Sequence, residues 1–435
     1  MATNTRPTRP SISVIVATYN WSAALRCALR SVQLQTLTDF EVHVVGDGCT
    51  DDSAAVVAGL GDPRFHWHNL ERNSGNQFAP NNHGLRAAAA DWVAYLGQDD
   101  IWFPTHLEAI LRRAKETAAD LVASVAVLYG PPRTGVLGLS GIFVDDSYSA
   151  RDFMPPSSFA HRTALVDTIG YWQDPEVIEL PTDCAFVKAA AASGARIVST
   201  NELTTFKFGA AWRRDSYKFK ATAEQEDTLR RIEGGADFRH EELIGVLHSV
   251  WAEKFIPITM PAEGQRSKGT YFRNYRKVKG VDRRFPVEQM QRVTEAKRFP
   301  VDDSFSFFEW HKQETDPRFG SFHWTGPGSR ATVELPVIFD RDLAIRVHIL
   351  FGVDPDVLRS ARLLVNSAPI ESTIEPTADQ TFLLSGIARA DGAQDGDLRI
   401  SLEVDKTRRF CDIADSSDRR WLGLAVNWLE VAPLA

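Results

Sequence analysis

Strand-like runs alternate with helix-like segments over the first hundred residues of the chain. The strand-like runs lie at 12–17, 40–45, 65–69 and 92–96, and the helix-like segments between them at 22–33, 51–58 and 80–90. The first run, ISVIVA, is mostly β-branched and continuous rather than alternating, as expected of a strand that is buried on both faces. Strand and helix in this rhythm predict an α/β fold with a parallel sheet and helices on both faces.

The pattern changes twice further along the chain. Residues 216–318 are helical and charged, and six short strand-like runs with period-2 stretches follow: ATVELPV, LAIRVHILF, ARLLVN, TFLLSG, LRISLEV and LGLAVNWLEV. Such runs predict a β-sandwich or jelly roll. We therefore expect four regions: a disordered N-terminus at 1–10, an α/β domain at 11–215, a helical and charged linking region at 216–318, and an all-β sandwich domain at 319–435.

Composition excludes several classes of protein. The chain has 435 residues, of which 43% are hydrophobic and 24% charged, and its formal net charge is -8. This is an ordinary globular composition, and the negative charge argues against nucleic acid as a partner. Four dispersed cysteines without a CxxC pair predict neither structural zinc nor a disulfide scaffold. The first ten residues lack the apolar region of a signal peptide, so we expect a cytoplasmic protein.

The residues that follow the strands carry the candidate chemistry. Ligands of open α/β sheets bind outside the carboxyl ends of the strands. The segments at these ends are Thr18–Asn20, Gly46–Gly48, Asn73–Gly75 and Gln98–Asp100. Adjacent carboxylates at Asp99 and Asp100 repel each other, and a hard divalent cation would offset that repulsion. The simpler alternative is that both acids favour the N-terminus of the helix that begins near Thr105.

Four ordered motifs carry a specific resemblance. VIVATYN, VVGDGCTDDS, NSGN with NNHGL, and WVAYLGQDDIWFP follow one another in the order and spacing of glycosyltransferase family 2. The resemblance covers roughly residues 10 to 215. It implies a Rossmann-like GT-A domain that uses a nucleotide-diphospho-sugar donor and inverts the configuration at the transferred sugar.

The same resemblance implies roles for residues at the strand ends. Asp99 would hold Mn²⁺ or Mg²⁺ with Asp100 as a helper, and Asp47 would accept a hydrogen bond from the base, most commonly uracil. Gly97 stands where the family usually has its first acid, so the ribose contact would pass to Gln98 or to backbone. The remaining donor-site candidates are Thr18, Tyr19, Asn20, Asn73, Gly75, Asn76 and Asn82; for Asn82 a turn or helix-face role is equally favoured.

The acceptor side rests on one acidic candidate. An inverting transfer needs a general base for the attacking hydroxyl, and by resemblance this is Asp183 in IELPTDCAFV. Thr182 stands where the family often has glutamate, Glu179 is the reserve candidate, and a helix N-cap role is the alternative for Asp183. Further candidates for contacts with the acceptor or diphosphate are Ser158, His161, Arg162, Trp212 and Arg213; a solvated basic loop explains the last two equally well.

Two other clusters allow a functional and a structural interpretation. Residues 266–284 concentrate basic and aromatic side chains, which could lie on an anionic membrane surface, hold a diphosphate-linked acceptor, or pair with acids of the α/β domain. His66 and His68 share one face of a strand, where a solvated face is favoured over a metal site.

These observations favour a metal-dependent inverting glycosyltransferase of the hexosyltransferase type. It would move a sugar from a nucleotide donor, most commonly a UDP-sugar, to a hydroxyl of a glycan or lipid-linked acceptor in surface polysaccharide biosynthesis. A peripheral position at the inner membrane face, homo-oligomerisation and a glycan-binding or assembly role of the β-sandwich remain open. The alternatives are a nucleotidyltransferase, disfavoured because ATYNWSAAL lacks a glycine-rich phosphate loop, and a non-catalytic protein that binds glycans or nucleotide-sugars.

Overall fold

The chain divides into two compact units. The structure is a computed structural model that describes residues 9–235, 237–264, 266–282, 284–301, 309–390 and 397–434. The first unit extends to residue 130 and continues through 137–248 and 255–281, and the second consists of 131–136, 249–254 and the chain from 282 onward. The expected disordered N-terminus lies outside the described residues except for its last two positions. The boundaries expected at 215 and 318 stay predictions.

The first unit is built on one ten-stranded sheet. Its strands are β1 (Ile12–Thr18), β2 (Phe40–Gly46), β3 (Phe65–Asn69), β4 (Trp92–Gly97), β5 (Ile101–Trp102), β6 (Leu121–Tyr129), β7 (Leu137–Ser140), β8 (Phe159–Arg162), β9 (Ile197–Lys207) and β10 (Phe255–Pro257). The order is β10-β7-β6-β8-β4-β1-β2-β3, with β9 paired to β6 and β5 paired to β9.

Ten helices connect or follow these strands. They are α1 (Ser22–Gln33), α2 (Ser53–Gly59), α3 (Phe78–Ala87), α4 (His106–Thr117), α5 (Leu165–Ile169), α6 (Thr182–Ala192), α7 (Ser216–Phe219), α8 (Ala223–Gly234), α9 (Phe238–Trp251) and α10 (Thr270–Lys279). The first three agree with the predicted helices to within three residues at each end. Among the described residues, none of the helices has the length and apolar character that crossing a membrane would require.

The sheet is mixed. The sequence predicted parallel pairing from the alternating elements of the first hundred residues, and strand β1 pairs in parallel with β2 and β4, and β2 with β3, as predicted. Further along the chain, strand β8 lies antiparallel to both β4 and β6. Strand β7 is also antiparallel to β6, so β7 and β8 run in the same direction on the two sides of β6.

The central strands are buried on both faces, which explains their continuous apolar sequences. Ile12, Val14 and Val16 pack into one hydrophobic cluster, while Ile15 packs into another on the opposite face. All four side chains are fully buried. Burial on both faces removes the need for polar alternation, and only the strand ends remain free to carry polar residues.

The second unit is antiparallel and strand-rich. Its elements are β11 (Lys297–Pro300), β12 (Glu314–Asp316), β13 (Gly320–Trp324), β14 (Arg330–Ile338), β15 (Leu343–Gly352), α11 (Pro355–Arg359), β16 (Arg362–Val365), β17 (Ala368–Pro369), β18 (Ser372–Pro376), β19 (Phe382–Ala388), β20 (Asp397–Glu403), β21 (Arg408–Arg409), β22 (Trp421–Leu422) and β23 (Leu424–Pro433). A seven-stranded and a four-stranded sheet contribute to one hydrophobic core, as in a sandwich. The predicted fold class, an α/β domain followed by an all-β domain, is confirmed.

Candidate functional site

Three predicted site residues lie together at the carboxyl edge of the central strands. Strands β1, β2 and β4 run in parallel, so their carboxyl ends share this edge. The amide of Asp47 donates to the carbonyl of Thr18 at 2.8 Å, and the Thr18 hydroxyl donates to Oε1 of Gln98 at 2.6 Å. Backbone geometry alone therefore brings the ends of three separate motifs together.

Asp100 is fully buried and bonded to the protein on both oxygens. Its Oδ2 accepts from the Ser157 hydroxyl at 2.5 Å and from Nζ of Lys207 at 2.8 Å, and its Oδ1 accepts from the Phe208 amide at 3.0 Å. Lys207 ends β9, which runs parallel to β6. Asp100 thus ties the end of β4 to the end of β9, and these bonds occupy the carboxylate that was predicted to help hold a metal.

Asp99 is only partly buried, and its surroundings differ from those of Asp100. Burial and the neighbouring Asp100 carboxylate raise the pKa of Asp99 to about 6, while the charges of Lys207 and Lys279 act in the opposite direction. Within the described ranges, no group of three or more His, Cys, Asp or Glu side chains is arranged to hold a metal ion by itself. Asp99 is therefore the carboxylate of this pair that is not fully buried.

Gly97 leaves no room for the acid that usually occupies this position in the family. A Cβ at Gly97 would lie 2.9 Å from Oδ2 of Asp100 and 3.2 Å from Oδ1 of Asp99. The first separation is shorter than real Cβ contacts allow, so a side chain here would displace the bonded Asp100 carboxylate. The glycine and the buried position of Asp100 therefore depend on each other.

Gln98 braces the end of β1 against an aromatic side chain. Its Oε1 also accepts from the Tyr19 amide at 2.9 Å, and its Nε2 donates to the Tyr217 hydroxyl at 3.0 Å. Tyr217 in turn stacks on Tyr19, with ring centroids 6.2 Å apart. Gln98 is 4% exposed, and these bonds fix it against the two tyrosines. Its predicted contact with the ribose stays a prediction.

Asp47 organises the loop that was predicted to lie along a nucleotide. Its carboxylate accepts from the Ser74 amide at 2.9 Å, from the Ser74 hydroxyl at 3.0 Å and from the Gly75 amide at 3.1 Å. Asn73 donates from its side chain to the Asp47 carbonyl at 3.0 Å, and Asn76 accepts from the Phe78 amide at the start of α3. Burial raises the pKa of the Asp47 carboxyl, although these donors oppose the shift.

Asn20 joins the first motif to the second. Its Oδ1 accepts from the Thr50 amide at 2.7 Å and from the Asp51 amide at 3.1 Å. Asp51 itself accepts from the amide and hydroxyl of Ser53 at the start of α2. The loops after β1 and β2 are thereby fixed against each other.

Asp183 belongs to the same electrostatic cluster as Asp99. It lies in the first turn of α6, where its Oδ1 accepts from the Cys184 amide at 2.9 Å. Burial raises the pKa of Asp183, and the charge of Lys207 partly offsets this. Burial lowers the pKa of Lys279, whereas the carboxylates of Asp99 and Asp183 favour its charged form. Two predicted acids and two lysines thus interact at one edge of the sheet.

Helix α10 places part of the basic stretch 266–284 beside this edge. A Cβ at Gly75, whose φ is +77°, would collide with the Arg276 guanidinium and lie 3.2 Å from the Phe272 ring. The charge of Arg276 also lowers the pKa of Asp47, and Lys279 lies 5.7 Å from the centre of the Tyr217 ring. Pairing with acids of the α/β domain is thus the role that these contacts favour for Arg276 and Lys279; residue 283 lies outside the described part of the chain.

Five predicted residues are held away from this cluster or fully engaged elsewhere. Because β8 is antiparallel to β4, Arg162 lies opposite Trp92 at the amino end of β4. His161 is fully buried and bonded to the Tyr95 hydroxyl, and the Ser158 hydroxyl donates to Pro155. The Arg213 guanidinium bonds to Glu224 and to backbone carbonyls. The Asn82 amide bonds both ways with the Trp172 backbone.

Two further candidates, Trp212 and Glu179, lie in other segments of the first unit. Trp212 ends the 3₁₀ turn Ala210–Trp212 and is partly buried. Glu179 accepts from the Gly264 amide at 3.1 Å. The first lies in the loop after β9 and the second precedes α6, and their predicted roles stay predictions.

Ser157 and Lys207 were not predicted from the sequence, and Arg276 and Lys279 were predicted only as part of the basic stretch 266–284. Ser157 accepts from the Gly97 amide at 2.9 Å and donates to Asp100, although Ser158 beside it was the candidate. Lys207, Arg276 and Lys279 follow in the chain long after the motifs they serve. Lys207 ends a strand whose other residues are mostly uncharged, TTFK, and this was the one sequence signal that could have identified it.

Comparisons with known proteins agree with the motifs. Residues 13–152 match the family described as glycosyl transferase family 2. An uncharacterized glycosyltransferase of Nostoc is 38% identical over 23% of this chain and 31% of its own length. The succinoglycan biosynthesis protein ExoO of Rhizobium meliloti is 35% identical over 26% of this chain and 32% of its own.

Two further proteins extend the comparison. The GalNAc(5)-diNAcBac-PP-undecaprenol beta-1,3-glucosyltransferase of Campylobacter jejuni is 27% identical over 33% of this chain and 48% of its own length. The chain thus spans between about a third and a half of these relatives. The crystal structure of residues 1–349 of S. aureus TarS covers 54% of this chain and 69% of its own at 21% identity, with a TM-score of 0.39, which is too low to bear on the fold. The match to glycosyltransferase family 2 thus covers residues 13–152 of the chain.

Proposed function

We propose that this protein is an inverting glycosyltransferase that moves a sugar from a nucleotide-diphosphate donor to a hydroxyl group of a glycan or lipid-linked acceptor. A UDP-sugar is the proposed donor because uracil is the commonest base in the family. The proposal rests mainly on one observation: Asp99 and Asp183, from motifs far apart in the chain, share the influence of Lys207 and Lys279 at the carboxyl edge of the sheet.

Positive charge near Asp99 suits a diphosphate. A nucleoside diphosphate leaves readily when the negative charge that develops on it is neutralised, and fixed cations in a poorly hydrated site do this effectively. Lys207 and Lys279 both interact with Asp99. Of the two, Lys207 is bonded to Asp100, and we assign Lys279 to the diphosphate.

The acids fit a divalent cation that is completed by the donor. Magnesium sites commonly use one or two protein carboxylates together with substrate phosphates. Asp99 offers one such carboxylate, and burial together with the neighbouring Asp100 carboxylate raises its pKa. Mn²⁺ or Mg²⁺ held there would act as a Lewis acid on the diphosphate.

Asp183 is the proposed general base. A single displacement with inversion needs one group to accept the proton of the attacking hydroxyl. Burial raises the pKa of Asp183, so its carboxylate is a stronger base than an exposed aspartate. Asp183 lies in the first turn of α6, and its charge favours the charged forms of Lys207 and Lys279.

The names of the relatives support a place in polysaccharide assembly. One relative is named for succinoglycan biosynthesis and another for transfer of glucose to an undecaprenol-linked glycan. An acceptor on a growing surface glycan or its lipid carrier is therefore the proposed class. A peripheral membrane position of residues 266–284 and homo-oligomerisation belong to the same proposal and need separate tests.

The decisive experiment measures nucleotide release from a panel of nucleotide-sugars, with and without Mn²⁺. We expect the protein to release UDP from one UDP-sugar, and Asp99→Asn to lower this rate about 100-fold or more, a loss of about 2.7 kcal/mol in transition-state stabilisation. Asp167→Asn is the matched control, because Asp167 is exposed on α5. The unfolding temperatures of both variants should stay close to that of the parent.

Two results would contradict the proposal. Metal-dependent turnover that survives in Asp99→Asn would remove Asp99 from its assigned role. Nucleotide binding without release from any donor, in the presence or absence of acceptor, would instead favour the non-catalytic binding protein that Gly97 left open.

A further inference from the structure

The second unit contains a cavity of about 460 Å³ with an unusual lining. Four cationic side chains contribute to it, Arg133, Lys254, Arg362 and Lys406, against two carboxylates, Glu403 and Asp405. This volume lies within the range of small-ligand sites. None of these residues belongs to the first unit or to the site proposed above.

The two carboxylates are already paired. Glu403 accepts from Arg330 at 2.8 Å and from Arg362 at 3.1 Å, and Arg362 also pairs with Asp405 at 2.7 Å. Arg133 approaches Glu403 only to 3.9 Å and is largely exposed. The acids therefore do not neutralise the remaining cations of the lining, and the cavity keeps an excess of positive charge.

Lys254 is the cation with the least compensation. In the part of the chain that the structure describes, it has no carboxylate partner, and it is partly buried. Its Nζ lies 4.2 Å from the centre of the Trp421 ring, and the Trp421 indole is itself fixed by a bond to the Ala252 carbonyl. Burial lowers the pKa of Lys254. A partly desolvated ammonium without a counter-charge is poorly stabilised until an anion contacts it.

The rest of the lining suits hydroxyl groups. Ser329 carries a hydroxyl, and the Thr407 hydroxyl, which donates to the Pro327 carbonyl at 2.9 Å, can still accept. The carboxylates of Glu403 and Asp405 retain acceptor positions beyond those their arginines use. An anion without hydroxyl groups, such as sulfate, would gain nothing from acceptors, whereas a polyhydroxylated anion uses both kinds of group. We propose that this cavity binds an anionic sugar unit, one that carries a phosphate or a carboxylate group, with Lys254 as the residue that contacts the anion.

The test is a binding titration of the full chain. Binding is measured by calorimetry and by the change in tryptophan fluorescence. Glucose 6-phosphate represents a phosphate ester, glucuronate a carboxylate, and glucose the neutral sugar. We expect at least one of the two anions to bind and to change the tryptophan emission, and glucose to bind about 10-fold more weakly or not at all. Whichever anion binds more tightly identifies the source of the charge.

Variants locate the binding. Lys254→Met keeps the length of the side chain beside Trp421 and removes its charge, so it should weaken binding of the anion about 10-fold or more. Lys312→Met, at an exposed position of the same unit, should leave the affinity unchanged. If Lys254→Met unfolds at a lower temperature than the parent, Lys406→Met provides the same charge removal at the exposed rim. Equal affinity for glucose, unchanged affinity in both cavity variants, or no binding of either anion would overturn the proposal.

Discussion

Asp99 and Asp100 show how two identical neighbours acquire different roles. Asp100 is fully buried and bonded to Ser157, Lys207 and Phe208, whereas Asp99 is partly buried and keeps a raised pKa. The sequence could identify the acidic pair, because its position after a buried strand is a property of the local pattern. It could not divide the roles, because the partners of Asp100 lie in segments that follow much later in the chain.

The buried ion pair gives a prediction about stability. Asp100→Asn should lower the free energy of unfolding by about 3–5 kcal/mol, because it leaves the partly buried Lys207 ammonium without its counter-charge. Asp99→Asn, which removes a carboxylate from beside a like charge, should change stability much less. Chemical denaturation of the two variants at neutral pH compares them directly, and equal losses would show that Asp100 is not the structural member of the pair.

The other predicted site residues also differ in whether their position follows from the local sequence pattern or from the pairing of strands. Thr18, Asn20, Asp47 and Asp99 were predicted from the ends of strands, and the parallel pairing of β1, β2 and β4 brings them to one edge. The candidates on β8 do not reach this edge in the same way. Because β8 is antiparallel to β4, Arg162 lies at the opposite edge of the sheet. Local patterns define where a strand ends, but the direction of a strand depends on its partners.

At the scale of elements, β2 and β3 carry a cluster of histidines. His43 on β2 and His68 on β3 are hydrogen-bonded at 3.2 Å, His66 packs against His43 at 5.5 Å, and His83 of α3 packs against His68 at 4.9 Å. Glu41 lies 3.4 Å from His43. The sequence favoured a solvated strand face for His66 and His68; His66 is exposed, whereas His68 is partly buried against two further histidines.

This cluster predicts a dependence of stability on pH. Burial and the neighbouring histidines lower the pKa of His68, so the folded state binds its proton less readily than the unfolded state, whose histidine pKa is about 6.5. The resulting stabilisation is complete above that value and is lost as the pH falls through the folded pKa. Urea unfolding should therefore show a lower free energy at pH 5.5 than at pH 7.5.

A variant separates this cluster from other acid-sensitive groups. His68→Gln should lose less stability between pH 7.5 and pH 5.5 than the parent does, because one of the destabilising protonations is gone. His240→Gln, whose side chain is 79% exposed, should follow the parent. Parallel curves for all three proteins would assign the pH dependence to other buried groups, such as His106 and His161.

Helix and strand positions were the most predictable part of the fold. The six strand-like runs of the C-terminal region correspond to β14, β15, β16, β19, β20 and β23, since alternating burial leaves a clear pattern in the sequence. Short strands such as β12, β17 and β22 were missed because two or three residues carry too little pattern. The antiparallel pairs that later strands add were not predicted, because parallel and antiparallel strands that are buried on both faces have similar sequences.

At the scale of the whole molecule, the two units are interleaved along the chain. Residues 131–136 and 249–254 belong to the second unit although the chain around them belongs to the first. Within the second unit, Glu253 pairs with Arg419 at 2.7 Å, and Ala252 and Lys254 contact Trp421. A boundary drawn through the sequence alone cannot reproduce this arrangement, because composition changes gradually while the segments are only six residues long.

The interleaving predicts how a shortened chain behaves. A fragment that ends at residue 281 retains 131–136 and 249–254 but lacks their partners, including Trp421 and Arg419. We expect the amides of these two segments to exchange hydrogen at least about 10-fold faster in the fragment than in the full chain. Amides of β1 serve as the internal control and should be unchanged; equal exchange in both segments would show that they are held without the second unit.

The contact of Gly75 with Arg276 has a consequence for biosynthesis. Strands β1 to β4 leave the ribosome long before α10 does, and domains can begin to fold during synthesis. Until then Lys207 alone counters the acids after β4, and the loop held by Asp47 has no guanidinium over it. A chain that stops near residue 215 would thus have nine of the ten strands of its sheet but lack the positive charges of α10 beside its acidic edge.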